Sequence, residues 1–378
     1  MNQKVSKLLV VSYAPVFLVD DKFKAYPPYV NEMDLWFKNV NEVKIASPFW
    51  YPQRIFVKPF QSKNISRIYL PFIAFNNFGI ILKSIFVLPL IAFQLFKGML
   101  WAEHIHFRCP GNMSLFGLLV QIFFPFKPKS TKYAGNWDPS SNQPWSYRLQ
   151  QAILRNRFLT RNMQVLVYGA WPKEPTHILP FISATFYEAD QVPFQIRNYQ
   201  NTLKMVFAAS LVPGKRPLLT IQIIEALNQK GYKSFLDLFG DGPLMDELQE
   251  YVSTRGLQDQ IMFHGNQDIR LIMDYYKQAH FNILPSKSEG WPKAVAEGMF
   301  FGCVPIATPV SCVAWMLGEG SRGILIAPEL ESAVNLIIKY LEQEDLTAKA
   351  KEAQAWSEQY TFDRLEADIE KVLKGNFK

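Results

Sequence analysis

The chain has 378 residues, 49% hydrophobic and 19% charged. That excludes a disordered segment and exceeds one ordinary core, so two domains of about 150–200 residues each are expected. The net charge of +7 is uneven: residues 1–190 carry 21 Lys+Arg against 10 Asp+Glu, and the remainder 19 against 23.

This asymmetry points the first half at something anionic. Nucleic acid is disfavoured because no basic-aromatic module of a known binder is present. An anionic membrane surface or a phosphorylated lipid fits better, and a solvated basic face is the plain alternative. Cys109, Cys303 and Cys312 are odd in number and lack metal-ligand spacing. They read as buried thiols in a reducing compartment.

In chain order, Lys7 to Tyr13 is a first core strand. Pro15 and the acidic pair Asp20-Asp21 follow, with no small-residue cleavage pattern, so a signal peptide is disfavoured. A helix is expected near 30–39 and a strand over Val43–Ser47. Further strands or extended loops are expected near 54–59 and 67–72. Phe78 to Phe96 is the most apolar stretch, with Lys83 its only charge. Its length approaches the roughly 20 residues of a membrane span. Three readings stay open: a spanning helix, a helix dipping into one leaflet, and a buried crossover helix. Leu115–Phe124 is too short to span and reads as a core helix or part of the same apolar surface.

His104 to Cys109 alternates as a strand, and Pro110-Gly111-Asn112 is a turn whose Asn112, or Ser114 beyond it, can cap the next helix. Arg108, at the carboxyl end of that strand, is a candidate ligand for an anion. His104 and His106 share one strand face, but a third metal ligand is missing. Lys132 to Asp138 ends another strand in a polar and aromatic loop. Sugars are held by aromatic faces with amide and carboxylate groups, so Asn136 and Trp137 are acceptor-binding candidates. A helix near 144–160 and strands at 164–168 and 176–182 follow, and the polar stretch 187–203 reads as an interdomain hinge.

From Met205 the chain alternates regularly. Strands fall near 205–210, 234–239, 260–264, 280–285, 304–308 and 323–327, and helices near 217–230, 243–255, 269–279, 292–301 and 331–343. This is the pattern of a doubly wound parallel sheet. After the first of these strands, Lys215 or Arg216 can reach a diphosphate held where Pro217 opens a helix. Gly240-Asp241-Gly242-Pro243 lacks the third glycine of a dinucleotide fingerprint, since Met245 stands there. At His264-Gly265-Asn266 the backbone can approach a flat ring, or simply turn.

The densest chemistry is in Glu289-Gly290-Trp291-Pro292-Lys293-Ala294-Val295-Ala296-Glu297. One glutamate lies in the loop after a buried strand and the other inside the next helix, with Pro292 suited to the helix's first position. Ligands of open α/β sheets bind outside the carboxyl ends of the strands, and a helix start suits a phosphate. Carboxylates accept from sugar hydroxyls. Together these point to a phosphate-linked sugar.

Leu211-Val212-Pro213 with Lys215, Gly240-Asp241-Gly242-Pro243, Phe263 with Gly265, and Pro285-Ser286 followed by Ser288-Glu289-Gly290-Trp291-Pro292 running to Glu297 resemble a retaining glycosyltransferase of the GT-B fold, in the large family 4. The resemblance covers residues 203–330 closely and the first half mainly in layout. It implies two Rossmann-like doubly wound α/β domains facing a cleft. These would be an N-terminal acceptor domain (1–190, possibly membrane-facing), a C-terminal nucleotide-sugar domain (191–361), and a last helix (362–378) crossing back to the first. It implies that Glu289 contacts donor-sugar hydroxyls, Glu297 holds the ribose and Lys215 binds the diphosphate. Gly290, Trp291, Pro292, Lys293, Arg216, Ser210, Gly242 and Gly265 would complete the donor site. The donor would be UDP- or GDP-linked and transferred with retention to a glycan or lipid-linked acceptor, without a metal; the sequence has no Asp-x-Asp. Members of this kind act at the inner face of the membrane in surface polysaccharide or glycolipid synthesis.

The sequence departs from the family where a Gly-Arg pair usually precedes Leu-Val-Pro: here Ala209 and Ser210 stand, leaving Lys215, Arg216 or Arg108 to compensate. Pro309-Val310-Ser311-Cys312 replaces a glycine-rich loop, the first loop of the chain lacks the usual glycines, and Asn136 stands about where an acceptor-side histidine is usual. Rival readings are a catalytically degraded nucleotide-sugar-binding subunit, motivated by Ser210, and an epimerase or hydrolase on the same fold.

Overall fold

The computed structural model describes residues 5–51, 56–74 and 78–377, with side chains from Ser84 onward in the helix that begins at Phe78. The chain divides into two compact units, Met1–Phe181 with Leu365–Lys378, and Ile182–Arg364.

In the first unit, strands β1 (Val5–Ser12), β2 (Phe17–Val19), β3 (Lys22–Ala25), β4 (Val40–Pro48), β5 (Lys58–Pro59), β6 (Ile65–Leu70), β7 (His104–Cys109), β8 (Lys129–Tyr133), β9 (Met163–Tyr168) and β10 (Ile178–Phe181) accompany helices α1 (Pro27–Lys38), α2 (Phe78–Trp101), α3 (Asn112–Val120) and α4 (Trp145–Arg155). Seven strands form one parallel sheet, β10-β9-β8-β7-β1-β4-β6. Such strands are covered on both faces, which is why β1 reads as a continuous apolar run. β2, β3 and β5 make a small antiparallel sheet. Its hairpin turns at Asp20-Asp21, both at positive φ (52° and 56°), the geometry of a tight primed turn. The extended segment expected near 54–59 is a strand only at Lys58–Pro59; its residues 54 and 55 lie outside the described residues.

α2 is the one described helix long and apolar enough to cross a membrane. Ile91, Leu95 and Met99, four residues apart, are fully buried in the core and place the helix as a crossover between β6 and β7. Its opposite stripe, Phe86, Leu90, Phe93 and Leu100, is exposed. Neither Asn112 nor Ser114 caps α3: no side chain caps that end, and the Ser114 hydroxyl donates instead to the Arg108 carbonyl at 2.5 Å.

In the second unit, β11 (Leu203–Ala208), β12 (Ser234–Phe239), β13 (Ile261–Gly265), β14 (Phe281–Leu284), β15 (Val304–Ala307) and β16 (Ile324–Leu325) alternate with α5 (Pro217–Gln229), α6 (Met245–Thr254), α7 (Ile269–Gln278), α8 (Lys293–Phe300), α9 (Val313–Met316) and α10 (Leu330–Gln343). Helices α11 (Leu346–Ser357) and α12 (Phe362–Leu373) close the chain. The sheet order is β13-β12-β11-β14-β15-β16, all parallel. Counted within the unit this is 3-2-1-4-5-6, the doubly wound order whose switch point lies between β11 and β14.

The stretch 187–203 is no free hinge. Phe186 just before it is buried against Phe300 and Phe301 at 5.0 Å, and the Arg197 guanidinium donates to the carbonyls of Gly302, Phe301, Tyr276 and Lys277. Polar composition hid this anchoring because the arginine satisfies main-chain carbonyls, which no sequence pattern records. The units therefore divide at Phe181/Ile182, and within α12 at Arg364/Leu365. At the start of α12, Phe362 N–H donates to the Phe186 carbonyl (2.9 Å). Near its end, the Val372 carbonyl accepts from Gln164 (3.3 Å) in the first unit.

Candidate functional site

Three loops of the second unit converge outside the carboxyl ends of its strands. The loop after β11 turns through Pro213–Lys215, and Pro217 opens α5 at the first helical position. Arg216 between them is left-handed (φ 51°), a conformation non-glycine residues adopt at a cost. The loop after β12 lies directly on it. A Cβ on Gly242 would stand 2.6 Å from the Leu211 carbonyl oxygen, and one on Gly240 1.9 Å from that of Ala209. Only glycine permits this approach, and Leu211 N–H then bonds the Asp241 carbonyl at 2.9 Å. Gly265 has positive φ (65°) with open space around it, so it serves turn geometry.

The loop after β14 meets the same place. Lys287 N–H donates to the Gly214 carbonyl (2.8 Å), and the Arg216 guanidinium donates to the Pro285 carbonyl (3.1 Å). Arg216 thus clamps the two loops together and positions them. Between them the Lys215 ammonium stands 2.5 Å from Glu289 Oε1. The Glu289 side chain is 7% exposed and that of Lys215 27%, so the carboxylate is set inward and the ammonium at the mouth. Ser210, earlier in the same loop as Lys215, is exposed.

Glu297 sits in α8, eight residues past Glu289. Its Oε1 accepts from the Thr185 hydroxyl at 2.8 Å. Burial raises its carboxyl above the ordinary range, with Thr185 and the Lys293 charge opposing. Gly298, next in the helix, lies where a Cβ would meet the Asn282 side chain at 2.5 Å, so α8 packs closely on β14. Pro292 is the cap of α8, which begins at Lys293, one residue later than expected. The Trp291 ring packs among Trp315, Trp356 and Tyr360, at 5.4–6.4 Å between centroids. It is a buried anchor for the loop, leaving main-chain groups for any ligand. Cys312 donates its thiol to the Gly290 carbonyl (3.1 Å), and burial pushes that thiol up to about 12. All three cysteines are free and buried.

The acceptor candidates of the first unit are corrected. Arg108 ion-pairs with Glu32, which also meets Lys132 at 2.9 Å, in a buried triad. Its charge is used inside the protein. Trp137 is fully buried, donates its indole N–H to Glu174 (2.9 Å) and packs edge-on against Tyr133. Asn136 is buried, accepts from Asp138 N–H (2.9 Å) and shapes the loop. Alternation of polar and aromatic groups signals a sugar platform only when the ring is exposed, and burial is invisible in a short loop. Another aromatic group lies past the strand ends: Tyr13 after β1 meets Phe72 at 5.6 Å, which also meets Tyr51 (5.8 Å) and Trp50 (5.7 Å, 54% exposed). Four aromatics clustered just past the strands at 13, 50–51 and 72 were the available signal. His104 and His106 both bond the Ser130 hydroxyl (2.8 and 2.9 Å), and no group of three metal-ligating side chains occurs among the described residues.

Comparison with known proteins places this geometry. Residues 188–359 match the family model described as glycosyl transferases group 1. Alpha-D-kanosaminyltransferase of Streptomyces kanamyceticus is 25% identical over 122 residues, which is 31% of this chain and 32% of that protein, so the likeness spans about a third of its length. Among solved structures, HepE of Anabaena in complex with UDP and glucose superposes with a TM-score of 0.63 at 16% identity, covering 98% of this chain and 100% of that one. Sucrose-phosphate synthase of Thermosynechococcus elongatus gives 0.66 at 15% identity, covering 98% and 99%. WaaG, a glycosyltransferase involved in lipopolysaccharide biosynthesis, gives 0.60 at 13% identity, covering 98% and 100%. The chain has the GT-B fold, and its residues 188–359, a little under half of its length, match the family model of glycosyl transferases group 1.

Proposed function

We propose that the chain is a glycosyltransferase that moves a sugar from a UDP- or GDP-linked donor to a glycan or lipid-linked acceptor, with retention of configuration. The observation that carries this reading is the Lys215–Glu289 pair at the switch point of the second sheet. Without donor, each charge neutralises the other. A diphosphate arriving at the loop offers Lys215 a stronger partner, and Glu289 is released to accept from hydroxyls of the sugar. As the glycosidic bond breaks, charge grows on the departing diphosphate. Lys215 and the main-chain N–H groups at the start of α8 are fixed where they stabilise it. Glu297 takes the ribose, its second oxygen being left over by Thr185. The leaving phosphate takes the acceptor's proton, and the exposed aromatic group around Trp50 and Phe72 stacks the acceptor. No metal is required in this scheme.

The first unit is proposed to work against the inner face of the membrane, which the basic first half and the exposed stripe of α2 support. That location fits a role in surface polysaccharide or glycolipid synthesis.

A panel of UDP- and GDP-sugars tests the reaction. The expected result is a rise in Tm with one nucleotide class, then acceptor-dependent nucleotide release that persists in a chelator, with the product's anomeric configuration unchanged by NMR. Nucleotide binding without any acceptor-dependent release would leave only a binding subunit, and an inverted product would overturn retention.

A further inference from the structure

The opposite edge of the first unit, at the amino ends of its strands, holds a cavity of about 510 Å³. His104 begins β7, Lys129 begins β8, Gln164 lies in the start of β9, and His177 precedes β10; all four line it. Arg157 and Arg161 complete its wall, and no acidic residue is among its described lining. Lys374 also lines it but is paired with Glu370 at 2.5 Å. The other three cations have no carboxylate partner among the described residues. The buried Lys129 ammonium donates to the Phe124 carbonyl at 2.5 Å, and loss of water lowers its pKa to about 8. His104 Nδ1 and Gln164 Oε1 are buried without a partner. An anion in the cavity gives the buried Lys129 ammonium a charged partner and can accept from an N–H at His104 Nδ1, whereas Gln164 Oε1, itself an acceptor, needs a donor.

The rim of the cavity is apolar and exposed. Phe126 is 89% exposed and Phe158 70%; the carbonyl of Phe126 accepts from Asn162 in the cavity wall (3.0 Å), and the Arg161 guanidinium lies 4.7 Å over the Phe158 ring. Lys127 ties the end of α2 to the same edge, donating to the carbonyls of Met99, Leu100 and Ala102 at 2.5–2.8 Å. The exposed stripe of α2 therefore ends beside the cavity. Two exposed arginines beside exposed aromatic rings, with one lysine recessed behind them, suit an interface where apolar groups enter lipid and charges meet headgroups.

We propose that this cavity seats the phosphate of an anionic phospholipid headgroup, with Phe126 and Phe158 entering the bilayer interface around it. The proposal rests on the membrane-facing reading above and adds a defined site to it.

The test is flotation of the full chain with phosphatidylcholine vesicles with and without phosphatidylglycerol. Three proteins are compared: wild type, Arg157→Gln/Arg161→Gln, and Lys22→Gln/Lys63→Gln, which removes the same charge from exposed positions elsewhere on the unit. Wild type should bind the anionic vesicles. The arginine variant should lose roughly thirtyfold in affinity, two contacts at about fivefold each, and the lysine variant less than about threefold. Both pairs of arginine and lysine side chains are exposed, and unchanged Tm values certify the fold. Equal losses in the two variants overturn the headgroup site while leaving the membrane reading standing. Wild type that ignores anionic vesicles overturns both. A Tm rise with inorganic phosphate that needs the two arginines, in a protein that binds no vesicles, overturns the lipid as the source of the anion.

Discussion

The two sheets share one topology up to their sixth strand, and each has a switch point with charged residues beyond it. At the first, between β1 and β7, Arg108 and Lys132 close on Glu32, and all three side chains are at most 13% exposed. At the second, between β11 and β14, Lys215 meets Glu289 alone, from a mouth where it is 27% exposed. The same place in the same fold is thus spent on structure in one unit and held open in the other. The difference is access: a closed triad has no ammonium to lend a ligand, whereas Lys215, at the mouth, can turn to a ligand that brings hydroxyl donors to the inward Glu289.

The largest effect should come from the closed triad. Glu32→Ala leaves two buried cations uncompensated and should cost about 3–5 kcal/mol, read by denaturant unfolding of the first unit. Nucleotide affinity of the folded fraction should be unchanged. A well-folded Glu32→Ala protein that no longer binds an acceptor would turn the triad into a functional group and erase the contrast.

Next is the open pair. Lys215→Ala should lower turnover about 10²–10³-fold, the usual loss on removing one stabilising donor, and should lower Tm less than Glu32→Ala because only one inward charge, Glu289, loses its partner. Glu289→Ala should lose the sugar but keep most of the affinity for the free nucleotide, measured by calorimetry. Undiminished transfer by Glu289→Ala would sink its assignment to the sugar.

These two regions also mark how far the sequence could be read. The alternation from Met205 onward placed the six strands and the five longer helices between them to within about two residues, because parallel strands are apolar throughout and proline or glycine marks the ends of α5 and α8; the short α9 (Val313–Met316) was missed. That Lys215, Gly242 and Glu289 stand in loops past strand ends, and Glu297 in the helix that follows, was legible because those loops follow the strands in fixed order. In the first unit the same logic misassigned Arg108 and Trp137. Whether a strand-end charge faces out depends on Glu32, 76 residues away in α1, and no local pattern carries that. The hairpin at Asp20-Asp21 was missed for another reason: its flanking strands are only three and four residues long.

A smaller effect isolates the loop packing that holds the site open. Gly242→Ala puts a Cβ 2.6 Å from the Leu211 carbonyl oxygen, which must shift. The expected cost is about 1–3 kcal/mol, the range for overpacking, with donor affinity falling in step because Lys215 follows in the displaced loop. Full stability with full affinity would show that the two loops move independently.

The smallest effect has the clearest sign. For Glu32, burial alone would raise the pKa, but Arg108 and Lys132 together overcome it and hold the carboxyl well below 4.5. Its contribution to stability is therefore present above that ordinary value and is lost as pH falls through the lowered one. Glu297 runs the other way. Burial raises its carboxyl above 4.5, so stability is complete below that value and is lost as pH rises through the raised one. Glu297→Gln removes this loss. At neutral pH and without ligand, its Tm should exceed that of wild type. The difference should vanish near pH 4, and the variant should bind nucleotide more weakly. That result would show a carboxylate kept at a cost to the folded chain, as the proposed hold on the ribose requires. If Glu297→Gln is instead less stable at neutral pH, its bond from Thr185 matters more to the fold than the buried charge costs. Glu297 would then belong with Glu32 rather than with Glu289.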